Sequence, residues 1–434
     1  MKSHVNFIFL ILFVMISPVY SQEREARALF QDAESWFYYE EYAEALPLYD
    51  SLLREDPNNH NLQYKLGVCL FNDPYQQKRA LSFLESAARG MRNDYKENSY
   101  LERRAPPETI YYLANAYLAN EMLDLARETF EAFLIIMDRE VYNEELVRAQ
   151  LRACETAARM MQEPVPMILQ PLDTAINTPY PEIRPVISGD GSTMTFVRKL
   201  PFYDAAYICH QTETGWSRPR LITQELGFDA DVYPTGLSHD GTEMILYSDD
   251  NRTGNLYQSS LVDGTWTRAV KMGAPISTKF WESEGCLSGD GRTLYFTSNR
   301  EGGFGGLDIY KSERTDNGDW GEPVNLGPVI NSPFNEEAPW ISSDGRTLCF
   351  ISFGHEKMGG YDIFISHMNN DGTWSNPSNP GYPINTTRDD LYFVPLPGGS
   401  GALYSIWKQD GQGGHDLYLL NLDEEATIFT VKTL

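Results

Sequence analysis

The sequence predicts two dissimilar parts: an N-terminal helical solenoid, then an all-β propeller of five blades. Three observations carry this. Helical patterns with small and large apolar residues at repeated spacings occupy roughly residues 26–161. A Ser-x-Asp-Gly turn begins at 188, 238, 288 and 342, spaced by 50, 50 and 54 residues. Each turn precedes an alternating apolar run, and self-similarity at such a period marks a repeat architecture.

Composition narrows the function classes. The 434 residues are 42% hydrophobic and carry a formal net charge of −26. So negative a surface repels nucleic acid and anionic lipid. It suits basic partners or divalent cations. Lys2 and His4 precede the apolar run "FIFLILFVMI", and "SPVYSQ" follows with small residues at Val19 and Ser21. This predicts a signal peptide over 1–21, cleaved after Ser21. The run is short for a bilayer span. The mature chain is expected to be exported, periplasmic and without a membrane span. Cys69, Cys154, Cys209, Cys286 and Cys349 sit among apolar residues with no CxxC spacing, so they read as buried thiols.

The helical part, 22–161, shows one pattern three times. The first copy has Ala33, Trp36, Ala45, Tyr49 and Leu52. The second has Gly67, Leu70, Ala80, Leu84 and Ala87. The third has Ala114, Tyr117, Ala126, Phe130 and Phe133. Small residues let antiparallel helices approach, and large ones fill the gap to the next pair. These residues resemble the tetratricopeptide repeat over about 26–140, interrupted by the polar insert 92–106, "RNDYKENSYLERRAP". The amphipathic stretch 142–161 would cap the array. The resemblance implies a concave groove for a protein or peptide partner. It would be lined by Arg27, Phe30, Glu34, Phe37, Tyr64, Val68, Phe71, Tyr111, Asn115 and Leu118.

"QEPVP" at 162–166 ends the helix, because two prolines favour extended chain. The propeller is expected over 162–434. After each Ser-x-Asp-Gly turn come "TMTFV", "EMILYS", "TLYFTS" and "TLCFIS". Asp-Gly between such runs signals a hairpin. A second strand follows in "AAYICH", "NLYQSS", "DIYKSE" and "DIFISH". A third begins at Trp216, Trp266, Trp320 and Trp374. Ten residues later stand Leu226, Ile276, Ile330 and Ile384, leading into the next unit. Four short strands per unit make one blade. The fifth unit keeps three strands, including "DLYLLN", and loses the turn motif. Two segments could complete it: the strand at 166–172, or "TIFTVKTL" at the C-terminus. Ile176-Asn177 stands where Ile330-Asn331 stands in its unit. This favours the N-terminal strand, since mixing chain ends locks a ring.

The stretches "SGDGRTLYFTSNREGGFGGLDIY" and "SSDGRTLCFISFGHEKMGGYDIF" resemble the WD40-like, TolB-type propeller of exported bacterial proteins. The likeness is strong in blades three and four, and weaker in two, one and five. The order of export signal, helical repeats and propeller is similar to a periplasmic component of type IX secretion. Those relatives often continue into an OmpA-like peptidoglycan-binding domain. This sequence shows no counterpart of it, so wall anchoring is not expected.

Enzyme chemistry finds little support. No Gly-x-Ser-x-Gly elbow exists, and "GLSHD" ends in Asp. Carboxylates for glycoside hydrolysis could come from Glu282, Glu284, Glu336, Glu337, Asp389 and Asp390, all near the start of a blade's first strand. They read as repeat-encoded loop residues. Asp308, Asp362 and Asp416 recur before a strand and could suggest Ca²⁺. Each belongs to a separate blade, so they read as turn caps. "GGFGG" leads into a strand, so it lacks the helix N-terminus of a phosphate cradle. The expectation is a non-enzymatic scaffold with no cofactor, metal or catalytic residue, binding envelope proteins or peptides. The alternative is a propeller enzyme or binding module acting on an envelope polysaccharide.

Overall fold

The computed structural model describes residues 23–250 and 253–422. The signal peptide expected over 1–21 and the candidate strand at 427–434 lie outside them. The chain divides into two compact units between Cys154 and Glu155. No helix among the described residues is long and apolar enough to cross a membrane. All five cysteines are buried, and none forms a disulfide.

The first unit is helical. Helix α1 covers 23–38. It is followed by α2 (Tyr42–Glu55), α3 (His60–Phe71), α4 (Gln77–Arg89), α5 (Thr109–Ala119) and α6 (Leu123–Ile136). Helix α7 (Glu144–Met160) runs across the division between the units. The repeated small residues Ala33, Ala45, Ala80, Ala114 and Ala126 are fully buried. At Gly67 a Cβ would stand 2.7 Å from Leu84 Cγ, so only glycine lets α3 and α4 approach this closely. Asn59 caps α3 by accepting from the Asn61 and Leu62 amides. The insert between α4 and α5 is ordered around buried Glu102. Arg104 donates to this carboxylate, as do the Lys96, Arg103 and Arg104 amides. The Arg104 hydrogen bonds hold Glu102 down at about 2.

The second unit is a propeller of five sheets. Its first strand, β1 (Met167–Pro171), belongs to the last blade. Blade one contains β2 (Glu182–Ile187), β3 (Thr193–Lys199), β4 (Asp204–Thr212), β5 (Gly215–Trp216) and β6 (Arg220–Leu221). Blade two contains β7 (Tyr233–Leu237), β8 (Glu243–Asp250), β9 (Thr253–Val262), β10 (Thr265–Trp266) and β11 (Val270–Lys271). Blade three contains β12 (Glu282–Leu287), β13 (Thr293–Ser298), β14 (Asp308–Glu313) and β15 (Val324–Asn325). Blade four contains β16 (Glu336–Ile341), β17 (Thr347–Ser352) and β18 (Asp362–His367). Blade five contains β19 (Phe393–Pro395), β20 (Gly401–Trp407) and β21 (His415–Leu422).

The fourth strand of a blade is less regular than the sequence implies. In blades one and two it breaks into two-residue pieces, both paired to the third strand. In blade four it is reduced to the bridges Ile365–Ser378 and Met368–Trp374.

The turn motif works through its side chains. Ser288 Oγ donates to Asp290 Oδ1 at 2.6 Å, and Asp290 accepts the Arg292 amide. Gly291 takes φ +67, which favours glycine. The same bonds recur at Ser188, Ser238 and Ser342.

Blades are joined by buried asparagines. Asn331 accepts from the Ile309 amide and donates to the Ile309 carbonyl. Asn385 does the same for Ile363. Asn177 makes this pair of bonds with Leu417, joining blade five to blade one. Strand β1 pairs antiparallel with β21, Met167 opposite Leu422. The N-terminal strand therefore closes the ring, as the Ile-Asn register predicts.

Candidate functional site

The innermost strands β2, β7, β12, β16 and β19 enclose a cavity of about 780 Å³. It runs from Glu337, Tyr361 and Asp389 at one end to the Ser-x-Asp-Gly turns at the other. A bulge interrupts β2, β7, β12 and β16 near mid-strand. Next to it, Arg184, Glu284 and Ala338 take φ of +50, +57 and +50, and Tyr392 takes +58 in blade five. Such conformations cost non-glycine residues free energy. The bulge re-aims side chains into the cavity. Arg184, Glu284, Ala338 and Tyr392 all line it.

Charge across the cavity is organised around Arg184. Its guanidinium bridges from blade one to Glu284 of blade three. It lies 5.1 Å from the Tyr233 ring centroid and 5.2 Å from that of Tyr392, so two rings flank the cation. Glu337 is half-buried in the wall, which it shares with Tyr361, whose hydroxyl accepts from Asn335 Nδ2 at 2.8 Å. Burial, then the neighbouring Glu284 charge, raises the Glu337 carboxyl to about 7. Asp389 stands at the rim and accepts the Tyr361 amide at 2.9 Å. Buried Lys357 lies near it.

The six carboxylates named from sequence fall into two groups. Glu282, Glu336 and Asp390 are buried and structural. Glu282 accepts the Thr278 amide and hydroxyl, and Glu336 accepts those of Ser332. Asp390 does the same for Thr386. Glu182 repeats the arrangement on Thr178. Glu284, Glu337 and Asp389 line the cavity instead. The sequence reading missed Arg184, Tyr233, Tyr361 and Tyr392. One signal could have found two of them: Arg184, Glu284, Ala338 and Tyr392 each stand two residues after the buried acid.

The Asp residues before the third strands are turn caps. Asp308 accepts the Phe304 and Gly305 amides. Asp362 accepts Met358, and Asp416 accepts Gln412. A Cβ at Gly305 would stand 1.8 Å from the Phe334 carbonyl of the next blade. The "GGFGG" glycines thus seat one blade against its neighbour. Among the described residues, no group of three or more His, Cys, Asp or Glu is placed to hold a metal ion.

In the helical unit, the residues assigned to a groove are mostly packed. Phe30, Tyr64, Val68, Asn115 and Leu118 are buried. Glu34, Phe37, Phe71 and Tyr111 are half-buried, and Arg27 is exposed. The insert lies over several of them. Tyr100 packs its ring on Phe30 at 5.8 Å, with the Arg27 guanidinium 5.5 Å above it. Tyr95 donates to Asn61, and Tyr64 donates to Glu108. Lys65 pairs with Glu34 at 3.2 Å and sits 4.0 Å from the Phe37 ring. The unit's own side chains thus use much of this face.

No family model matches the chain, and no curated protein matches it. Among solved structures it is similar to TolB from Acinetobacter baumannii, with 18% identity and a TM-score of 0.38. That match covers 56% of this chain and 55% of the other, about half the length of the Acinetobacter protein. The putative TolB from Agrobacterium tumefaciens shows 15% identity over 59% of this chain and 97% of that one, with a TM-score of 0.30. The catalytic domain of the Coprinopsis cinerea GH62 α-L-arabinofuranosidase shows 13% identity over 60% and 97%, with a TM-score of 0.39. The names thus include TolB proteins and a glycoside hydrolase. The functional reading of this chain rests on its own geometry.

Proposed function

We propose that the chain is a non-enzymatic binding protein of the cell envelope, exported to the periplasm, with the axial cavity of the propeller as its principal site. The observation that supports this most is the Arg184–Glu284 bridge. A glycoside hydrolase sets two carboxyl groups on opposite sides of the scissile bond. Here one of the cavity's carboxylates is committed to a guanidinium that spans the site. The flanking tyrosines and re-aimed inner strands describe a recognition surface built by several blades.

The helical unit reads as a tetratricopeptide solenoid on the strength of its buried small residues and the close approach at Gly67. In this reading it offers a second protein-binding surface through the groove positions that keep some exposure: Arg27, Glu34, Phe37, Phe71 and Tyr111. Service in a type IX secretion assembly is one role such a scaffold would fill.

A second reading has one observation in its favour. Glu337, raised to about 7, shares the cavity with Glu284, and acids in unlike environments can divide acid and base roles. One experiment separates the two. The whole chain is incubated with envelope polysaccharide and with envelope protein extract. The binding reading expects capture of a protein and no new reducing ends. Reducing-end release by the native chain, lost in both Glu337→Gln and Glu284→Gln, would establish the hydrolase instead.

A further inference from the structure

We propose that an extended peptide segment with apolar side chains threads the axial cavity along blade four, and that Ala338 is the residue that admits it. This rests on the binding reading above and names its ligand and route. Four blades place a residue with positive φ beside the bulge of the inner strand: Arg184, Glu284, Ala338 and Tyr392. Three of these side chains meet across the axis. The Arg184 guanidinium bridges to Glu284. It also lies 5.2 Å from the Tyr392 ring centroid and 5.1 Å from that of Tyr233 in blade two. Blade four offers only a methyl group at the matching position. The centre of the cavity is therefore filled from blades one, two, three and five, and the room left lies against blade four.

The wall of that room is largely apolar. Pro339, Trp340, Ile351 and Leu391 line the cavity, and Trp340 and Ile351 keep part of their surface uncovered. The mouth has the same bias. Phe334, Phe353 and Tyr361, all in loops of blade four, form a row with ring centroids 6.0 Å and 5.5 Å apart. Tyr361 lines the cavity itself. Lys357 Nζ lies 3.1 Å from the Phe353 centroid, and Asn335 donates to the Tyr361 hydroxyl at 2.8 Å. The row is thus held in place before a ligand arrives. Partly exposed rings reward apolar side chains.

The shape of the site selects an extended chain. A cavity of about 780 Å³ holds a ligand of drug size, hence a short segment rather than a folded partner. Strand β16 pairs with β17 and has no strand on its other side among the described residues. Cavity-lining residues run without a break from Glu337 to Ser343, so this edge lies along the cavity. An edge strand carries backbone groups that an extended peptide can pair. A compact apolar molecule would leave them unmet.

The test is calorimetric titration of the whole chain with acetyl-Ser-Leu-Ser-Leu-Ser-Leu-Ser-amide, at physiological salt to screen the net charge of −26. The same peptide with lysine for each leucine, and N-acetyl-leucinamide, serve as controls. The leucine peptide should bind, and each control should bind about tenfold more weakly or worse. Ala338→Tyr should weaken the leucine peptide by about tenfold or more. Its melting temperature should be unchanged, because Tyr392 holds a tyrosine at φ +58 in the matching position. Ala338→Gly should bind as the native chain does. If Ala338→Tyr melts lower, Ala338→Asn answers the same question, since asparagine accepts positive φ, and it too should weaken binding. No binding of the leucine peptide, or native affinity in the enlarged variants, would overturn the proposal. Equal binding of the lysine peptide would overturn its apolar part, and equal binding of N-acetyl-leucinamide its extended part. If envelope protein capture persists unchanged in Ala338→Tyr, this proposal falls and the binding reading stands. Failure of the native chain to capture any protein would overturn that reading instead.

Discussion

Blades one and three treat their buried acid differently from blades four and five. In the first pair an arginine answers it. Arg198 donates to Glu182 at 2.7 Å and to the Ile176 carbonyl at 2.8 Å. Arg300 donates to the Ile276 carbonyl at 2.8 Å and reaches Glu282 at 3.3 Å. In blade four, His355 takes over only the carbonyl, meeting Ile330 at 2.8 Å, and Glu336 has the Ser332 and Ser352 hydroxyls. In blade five, the single Tyr404 hydroxyl lies 2.9 Å from Asp390 Oδ1 and 3.0 Å from the Ile384 carbonyl oxygen. The repeat thus conserves a hydrogen-bonding task while varying its charge. The cation does not cancel burial, which raises Glu182 even with Arg198 bonded to it. Burial raises Glu336. Burial and the neighbouring Asp362 carboxyl push Asp390 well above the usual range.

The largest way to break this comparison is to remove a cation. Arg300→Met strands Glu282, whose side chain is 0% exposed. Breaking a buried pair in this way costs about 3–5 kcal/mol. His355→Leu removes one bond to a carbonyl and leaves no charge behind, a loss of about 1 kcal/mol. Denaturant melts of the two variants should differ accordingly. Equal losses would mean that the arginines act by packing alone.

Next in size come the junction asparagines. Asn331→Ala leaves the buried Ile309 amide and carbonyl without their side-chain partner, at a cost of about 2 kcal/mol. Asn177→Ala should cost the same, because ring closure repeats the ordinary junction. A much smaller effect at Asn177, measured by the same melts, would show that the closing junction bears less of the stability.

The smallest expected effect is one of pH. Asp390 and Glu336 have raised values in the fold. The stability linked to their protonated forms is complete below the ordinary carboxylate range and is lost as pH rises through the raised values. Asp240, Asp290 and Asp344 behave oppositely. Their turn-serine hydroxyls lower them first, so their contribution is lost as pH falls. Melting temperature should therefore peak in mildly acidic solution and decline toward pH 8. Asp390→Asn should make that decline shallower, whereas Asp290→Asn should act only on the acid side. An unchanged alkaline slope in Asp390→Asn would contradict the assignment.

Much of the propeller was legible because its signals are local. The Asp-Gly turn needs a serine and a glycine at set positions, and the junction needs Ile-Asn. Both recur where spacing alone reveals them, even at 176–177 where the chain ends meet. The fourth strands were less legible. Their pairing reduces to two-residue pieces or single bridges, which carry no alternating pattern. The cavity was partly hidden for a geometric reason. Glu282 and Glu284 are two residues apart, and in a regular strand would share a face. The bulge between Ser283 and Cys286 sends one into the blade and the other into the cavity. Nothing in the local composition marks that bulge, because Glu284 is not a glycine. In the helical unit the spacing of small residues located the helices. The insert's Tyr95 and Tyr100, which cover part of the expected groove, belong to no repeat.

Amide hydrogen exchange on the whole chain, with and without a captured protein partner, tests the central claim most directly. The account predicts slowed exchange around the bulges of the innermost strands, at Arg184, Glu284 and Ala338, and at Tyr361 on the rim. Protection confined to the outer strands and the helices, with the inner strands unchanged, would contradict it.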